Sequence, residues 1–127
     1  MREFEPLVDE WPLHVQREMD GHTVVVGVAG EVDHTTVGAL HFELATALAL
    51  ATPPAPVVLD LTGVTFFGSA GLTELVEQHK RAGGPLRVVA AHRRVLRPIQ
   101  LTELDRMLRL FPTRDSALHA GSRYRAG

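Results

Sequence analysis

Residues Val57 to Ala82, VVLDLTGVTFFGSAGLTELVEQHKRA, switch their hydrophobic period partway along, and the switch dictates a strand, a turn and a helix in immediate succession. Val57, Val58, Leu59 and Leu61 are interrupted only by Asp60, the pattern of a strand covered on both faces and central in its sheet. Thr62-Gly63 reads as a turn, and Val64 to Phe67 as a second short apolar piece that ends at Gly68-Ser69-Ala70-Gly71. From there Leu72, Leu75, Val76 and His79 recur at helical spacing, with Thr73, Glu74, Glu77, Gln78 and Lys80 mostly outside that stripe. Gly83-Gly84-Pro85 stops the helix. Ser69 therefore falls at a helix N-terminus, where it can cap the helix or present its hydroxyl.

The rest of the chain packs around this unit. Met1 to Pro12 reads as an acidic, proline-containing leader docked by Trp11, and Leu13 and Val15 begin an edge strand. Asp20-Gly21 signals a short hairpin that returns through His22 to Ala29. In the returning strand Val24, Val26 and Val28 face one way, and Val25, Gly27 and Ala29 the other, so it lies inside the sheet. Asp33 or Thr35 can cap the next helix, which carries Val37, Leu40, Leu44 and Leu48 on one face and runs to about Leu50. A proline-rich link, Ala51 to Pro56, precedes the central unit. Beyond it, Leu86 to Ala90 reads as a covered strand and Arg93 to Leu101 as a helix, with Pro98 near its first turn. Met107 to Phe111 reads as a last strand, and a short helix capped by Thr113 or Asp115 ends at Leu118. A hairpin followed by alternating helices and strands implies an α/β sandwich, a mixed central sheet of about four to five strands flanked by about four helices. Residues 1–12 form the leader, 13–119 the domain and 120–127 a flexible tail.

Composition narrows the chemistry. A chain of 127 residues without cysteine has no disulfide and no thiolate nucleophile or metal ligand. Its formal charge of −2 leaves no basic footprint for nucleic acid. No apolar run is long enough to insert in a bilayer and no secretory signal is evident, which places the protein in the cytoplasm. Gly68-Ser69-Ala70-Gly71 lacks the hydrolase elbow, because Phe67 stands two positions before the serine where glycine is required. His34 and His41 lack the short spacing of a zinc motif. Arg93, Arg94 and Arg97 read as a solvated helix face. Neither a metal nor a cofactor is implied, and no enzymatic activity.

Two segments together resemble the STAS domain family, and most of all its bacterial anti-sigma-factor antagonists. Gly30-Glu31-Val32-Asp33-His34-Thr35-Thr36 is similar to the family's G-E-[LV]-D segment, and Asp60 to Leu72, DLTGVTFFGSAGL, to its D-[LF]-x-x-[VL]-x-[FY]-[IM]-D-S-[SA]-G-L. With the order of elements, the similarity spans about Leu13 to His119. The resemblance implies that Ser69 is phosphorylated by an anti-sigma factor that is also a serine kinase of the histidine-kinase-like ATPase fold. It also implies that a serine phosphatase resets the cycle, and that unphosphorylated protein captures the partner and frees a sigma factor. The implied docking surface comprises Asp33, His34 and Thr35 with Gly68, Ser69, Ala70, Gly71, Leu72 and Thr73. Gly68 departs from the pattern, standing where the family usually carries aspartate. The same fold also serves as an accessory subunit of membrane transport complexes, an adaptor role without a phosphate switch.

Overall fold

The computed structural model describes residues 11–82 and 86–126. The leader up to residue 10 and the Gly83-Gly84-Pro85 helix stop lie outside these. Among the described residues a five-stranded sheet runs in the order β1 (Leu13–Asp20), β2 (Thr23–Val32), β3 (Val57–Phe67), β4 (Leu86–Val89), β5 (Arg109–Phe111). β1 is antiparallel to β2, and every later pair is parallel. The helices are α1 (Val37–Leu50), α2 (Ser69–Ala82), α3 (Arg93–Leu101) and α4 (Arg114–Ala126), with a single 3₁₀ turn at Leu104–Arg106. The sheet is mixed and the layers are those expected from the order of elements.

Sequential parallel strands joined by right-handed crossovers put every crossover helix on one face. That face holds the main core. Val24, Val26 and Val28 of β2, Leu59 and Leu61 of β3, and Val88 of β4 meet Leu40, Leu44, Leu75, Val95 and Ile99 from α1, α2 and α3. The opposite face is covered only in part. There Val25, Val58 and Val89 pack on Ala117 of α4, with Phe111 and Leu118 at the margin.

Several elements differ from their sequence reading. Thr62-Gly63 is no turn, because β3 runs unbroken over 11 residues. Its register on β2 slips twice, between the pairs Gly27–Asp60 and Ala29–Gly63 and again between Gly30–Val64 and Glu31–Phe66, each slip adding one residue to β3. These bulges keep Leu61, Val64 and Phe67 buried although they are three apart. Asp20 pairs with Thr23, so the hairpin turns on Gly21-His22, with Gly21 at φ 62°. The last strand begins at Arg109, and α4 continues past Leu118 through Ala126. Pro98 sits in the interior of α3, where it removes the donor to the Arg94 carbonyl. Arg94 is exposed, so water can take that place.

α4 is tied to the partly covered face through charge. Asp60, 7% exposed, accepts from the Thr62 N–H and hydroxyl at 2.9 and 2.7 Å, while Arg114 Nε donates to its other oxygen at 2.9 Å. Burial by itself would raise the Asp60 carboxyl, but the Thr62 hydrogen bonds and the Arg114 guanidinium outweigh it and hold it below its ordinary value. Asp60→Asn is expected to cost about 1 to 3 kcal/mol at neutral pH, moderated because Arg114 is partly solvated. A carboxyl depressed on folding stabilises fully above its unfolded pKa of about 3.9, and that contribution fades as pH falls through the folded value. Urea melts of both proteins should therefore differ above about pH 4 and converge below it.

Candidate functional site at the rim of β2 and β3

The C-terminal ends of β2 and β3 are neighbours in register, Val32 opposite Phe67, and the Gly68 N–H donates to the Val32 carbonyl at 2.9 Å. This pairing brings the 33–36 loop and the 68–73 turn, far apart in sequence, to one rim of the sheet. In a parallel sheet that rim is where crossover helices begin and where ligands and partners are received.

Asp33 organises the first loop. Its Oδ1 accepts from the Thr35 hydroxyl at 2.7 Å, the Thr35 N–H at 2.9 Å and the Thr36 N–H at 3.1 Å. The Thr35 hydroxyl, followed by these backbone donors, holds the Asp33 carboxyl below its ordinary value, so it is ionised at neutral pH. Neither Asp33 nor Thr35 caps α1: Thr36 holds the cap position without a side-chain cap bond, and the Asp33 carboxylate is engaged by Thr35 and Thr36 in the loop before the helix. Thr36, unmarked by the sequence, closes the loop by donating its hydroxyl to the Glu31 carbonyl at 2.8 Å. His34 and Thr35 are exposed.

The second segment opens α2. Gly68 occupies the cap place, its carbonyl accepting from the Gly71 N–H at 3.0 Å and the Leu72 N–H at 3.2 Å. Ser69 is consequently the first residue of the helix and is exposed. Its hydroxyl stands at a helix N-terminus without holding the cap position. Thr73 is also exposed, Ala70 and Leu72 are half-buried, and Gly71 is buried. A Cβ at Gly71 would lie 2.8 Å from Phe67 Cε1 and 2.9 Å from Val32 Cγ1, so Gly71 acts by letting the helix close onto the two strand ends. Gly71→Ala is expected to lose about 1 to 3 kcal/mol to overpacking, more than the roughly 1 kcal/mol that alanine gains in helix propensity. Chemical denaturation of the variant measures the balance.

The profile of the STAS domain matches residues 14–117. The chain belongs to the STAS domain family. It is 38% identical over 96 residues to the anti-sigma-F factor antagonist RsfB of Mycobacterium tuberculosis, covering 74% of this chain and 77% of that one. RsfA of the same organism, also an anti-sigma-F factor antagonist, is 31% identical over 76% of this chain and 78% of its own. Among solved structures, that of an anti-sigma factor antagonist from Mycobacterium paratuberculosis superposes with a TM-score of 0.79 at 38% identity, over 85% of this chain and 92% of the other.

Two features of this STAS domain escape a reading of periodicity. Glu74 and Gln78 lie outside the apolar stripe of α2, yet they are 5% and 1% exposed. They are held by each other, Gln78 Nε2 donating to Glu74 Oε2 at 2.8 Å, and by His41 of α1, whose Nδ1 is 3.0 Å from Glu74 Oε2. A polar contact thus joins α1 to α2 beneath the rim. Phe66, in contrast, belongs to an apolar run and is 53% exposed, because the second bulge of β3 turns it outward. Among the described residues no group of three or more His, Cys, Asp or Glu side chains could hold a metal ion. No helix there is long and apolar enough to cross a membrane.

Proposed function

We propose that this STAS domain is an anti-sigma-factor antagonist working by reversible binding, with Ser69 as its switch and no catalytic step of its own. Unphosphorylated protein captures an anti-sigma factor through the rim formed by residues 33–35 and 68–73, which frees a sigma factor for transcription. The observation that carries this reading is the exposed Ser69 at the first position of α2, relieved of capping by Gly68. The names of RsfB and RsfA supply the class of partner. The partner acts as a serine kinase of the histidine-kinase-like ATPase fold. In the transfer, Ser69 Oγ bonds to the γ-phosphorus of ATP, the bond to the bridging oxygen breaks, ADP leaves, and the hydroxyl proton passes to a base on the kinase. A serine phosphatase reverses the modification by hydrolysis.

The electrostatics favour release without refolding. Phosphate adds about −1.5 to −2 charges beside a helix N-terminus, where an anion is favoured by about 0.3 to 1 kcal/mol. The folded domain tolerates it. At a contact surface the same dianion must lose its water, and breaking a buried arrangement by leaving one charge without a partner costs about 3 to 5 kcal/mol. The test uses wild-type protein and Ser69→Asp as parallel baits in lysate of the source organism, with captured proteins and the site of phosphate identified by mass spectrometry. Capture of an ATP-binding anti-sigma factor by wild type alone supports the reading. Equal recovery of transporter components by both baits overturns it in favour of an adaptor.

A further inference from the structure

Gly68 does not owe its identity to backbone conformation, since among the described glycines only Gly21 and Gly30 have positive φ. What its missing side chain leaves room for is the ring of Phe66: a Cβ at residue 68 would lie 3.0 Å from Phe66 Cε2 and 3.3 Å from Cζ. The ring therefore lies over the turn one residue before Ser69 while keeping half its surface in water. Other large apolar side chains are exposed, among them Trp11, Phe42 and Leu101, but none of these lies on the two segments that build the rim. An aromatic ring held at this place by a bulge and a glycine has the character of a binding anchor, the residue type that dominates interface energetics.

Its surroundings specify the surface it meets. Glu31 is the in-register neighbour of Phe66 and is exposed, and Asp33 follows two residues later. Neither 30–36 nor 66–76 contains a lysine or arginine. The rim is an apolar knob flanked by carboxylates. Resting on the antagonist reading above, we propose that Phe66 is the anchor by which the anti-sigma factor is held beside Ser69, seated in an apolar pocket with a cationic edge, and that Gly68 leaves the space in which the ring lies. An acidic side chain at residue 68 would displace the ring, so a glycine here selects a partner that reads an aromatic group at this point.

The test measures affinity, by calorimetry, for the purified anti-sigma factor of the same organism that wild-type protein retains and Ser69→Asp releases. Phe66→Ala is expected to weaken binding by roughly tenfold or more with the melting temperature kept, and Phe66→Leu to restore most of it. Gly68→Ala, which adds only the Cβ that meets the ring, should weaken binding severalfold in the wild-type background and not at all in Phe66→Ala. Binding by Phe66→Ala within about twofold of wild type, or a Gly68→Ala loss undiminished by Phe66→Ala, overturns the anchor and leaves the antagonist reading standing. Failure of wild type to bind any anti-sigma factor overturns both.

Discussion

Ser69→Asp is expected to weaken capture of the anti-sigma factor by about a hundredfold or more and to leave the melting temperature almost unchanged. Both halves follow from the position of the residue. Ser69 is exposed at the first position of α2, so in the free protein a carboxylate there stays hydrated and gains about 0.3 to 1 kcal/mol from the helix terminus. In the binding mode proposed above, the added carboxylate would lie within the contact beside the Phe66 ring, on a rim that already carries Glu31 and Asp33. An unpaired, dehydrated charge costs about 3 to 5 kcal/mol, and each 1.4 kcal/mol is tenfold. Ser69→Ala separates charge from loss of the hydroxyl: it should bind like wild type and accept no phosphate. Calorimetric titration with thermal melts of each variant checks the prediction. Undiminished binding by Ser69→Asp would sink it, and so would a binding loss explained by a drop of many degrees in melting temperature.

The strength of the sequence lay where period and packing agree. The alternation in β2, the apolar run at Val57–Leu61 and the helical spacing in α1 each reflect burial against a regular neighbour, so element order and layering could be read directly. That the 33–36 and 68–73 segments lie at one rim was legible through two motifs, because each follows the end of a strand and leads into a helix. What could not be read depends on register between segments distant in the chain. The bulges in β3 arise from pairing with β2, and without that pairing Thr62-Gly63 looks like a turn and Phe66 like core. Glu74 and Gln78 look solvent-facing until His41, 33 residues before Glu74, supplies a partner to the Glu74 carboxylate that also accepts from Gln78 Nε2. Pro98 likewise looks confined to a first turn, because whether water can reach the Arg94 carbonyl is a property of the surface and not of the local sequence.

Gly30→Ala is expected to destabilise the domain by roughly 2 to 5 kcal/mol, the largest loss for a single added methyl group at any glycine on the β2–β3 rim. Gly30 has φ 111°, a conformation that L side chains rarely adopt and whose strain costs about 1 to 3 kcal/mol. A Cβ there would also lie 2.1 Å from the Pro12 carbonyl oxygen and 3.2 Å from Leu13 Cα. These are backbone atoms, which cannot swing aside as a side chain would. They are close because the Glu31 N–H donates to the Pro12 carbonyl at 2.7 Å, while Leu13 pairs with Gly30 to open the β1–β2 ladder. Relieving the clash therefore means giving up that hydrogen bond and the first pair of the edge strand. The entropic advantage of alanine in the unfolded chain, about 0.4 to 1 kcal/mol, is too small to compensate. Since Glu31 and Asp33 follow directly, the displacement would also reach the rim, and partner affinity should fall together with stability. Urea denaturation checks the first effect, and titration well below the variant's melting temperature the second. A stability loss under about 1 kcal/mol would mean that Pro12 and Leu13 can withdraw freely, and that the glycine of the G-E-V-D segment is not what locks β1 onto the sheet.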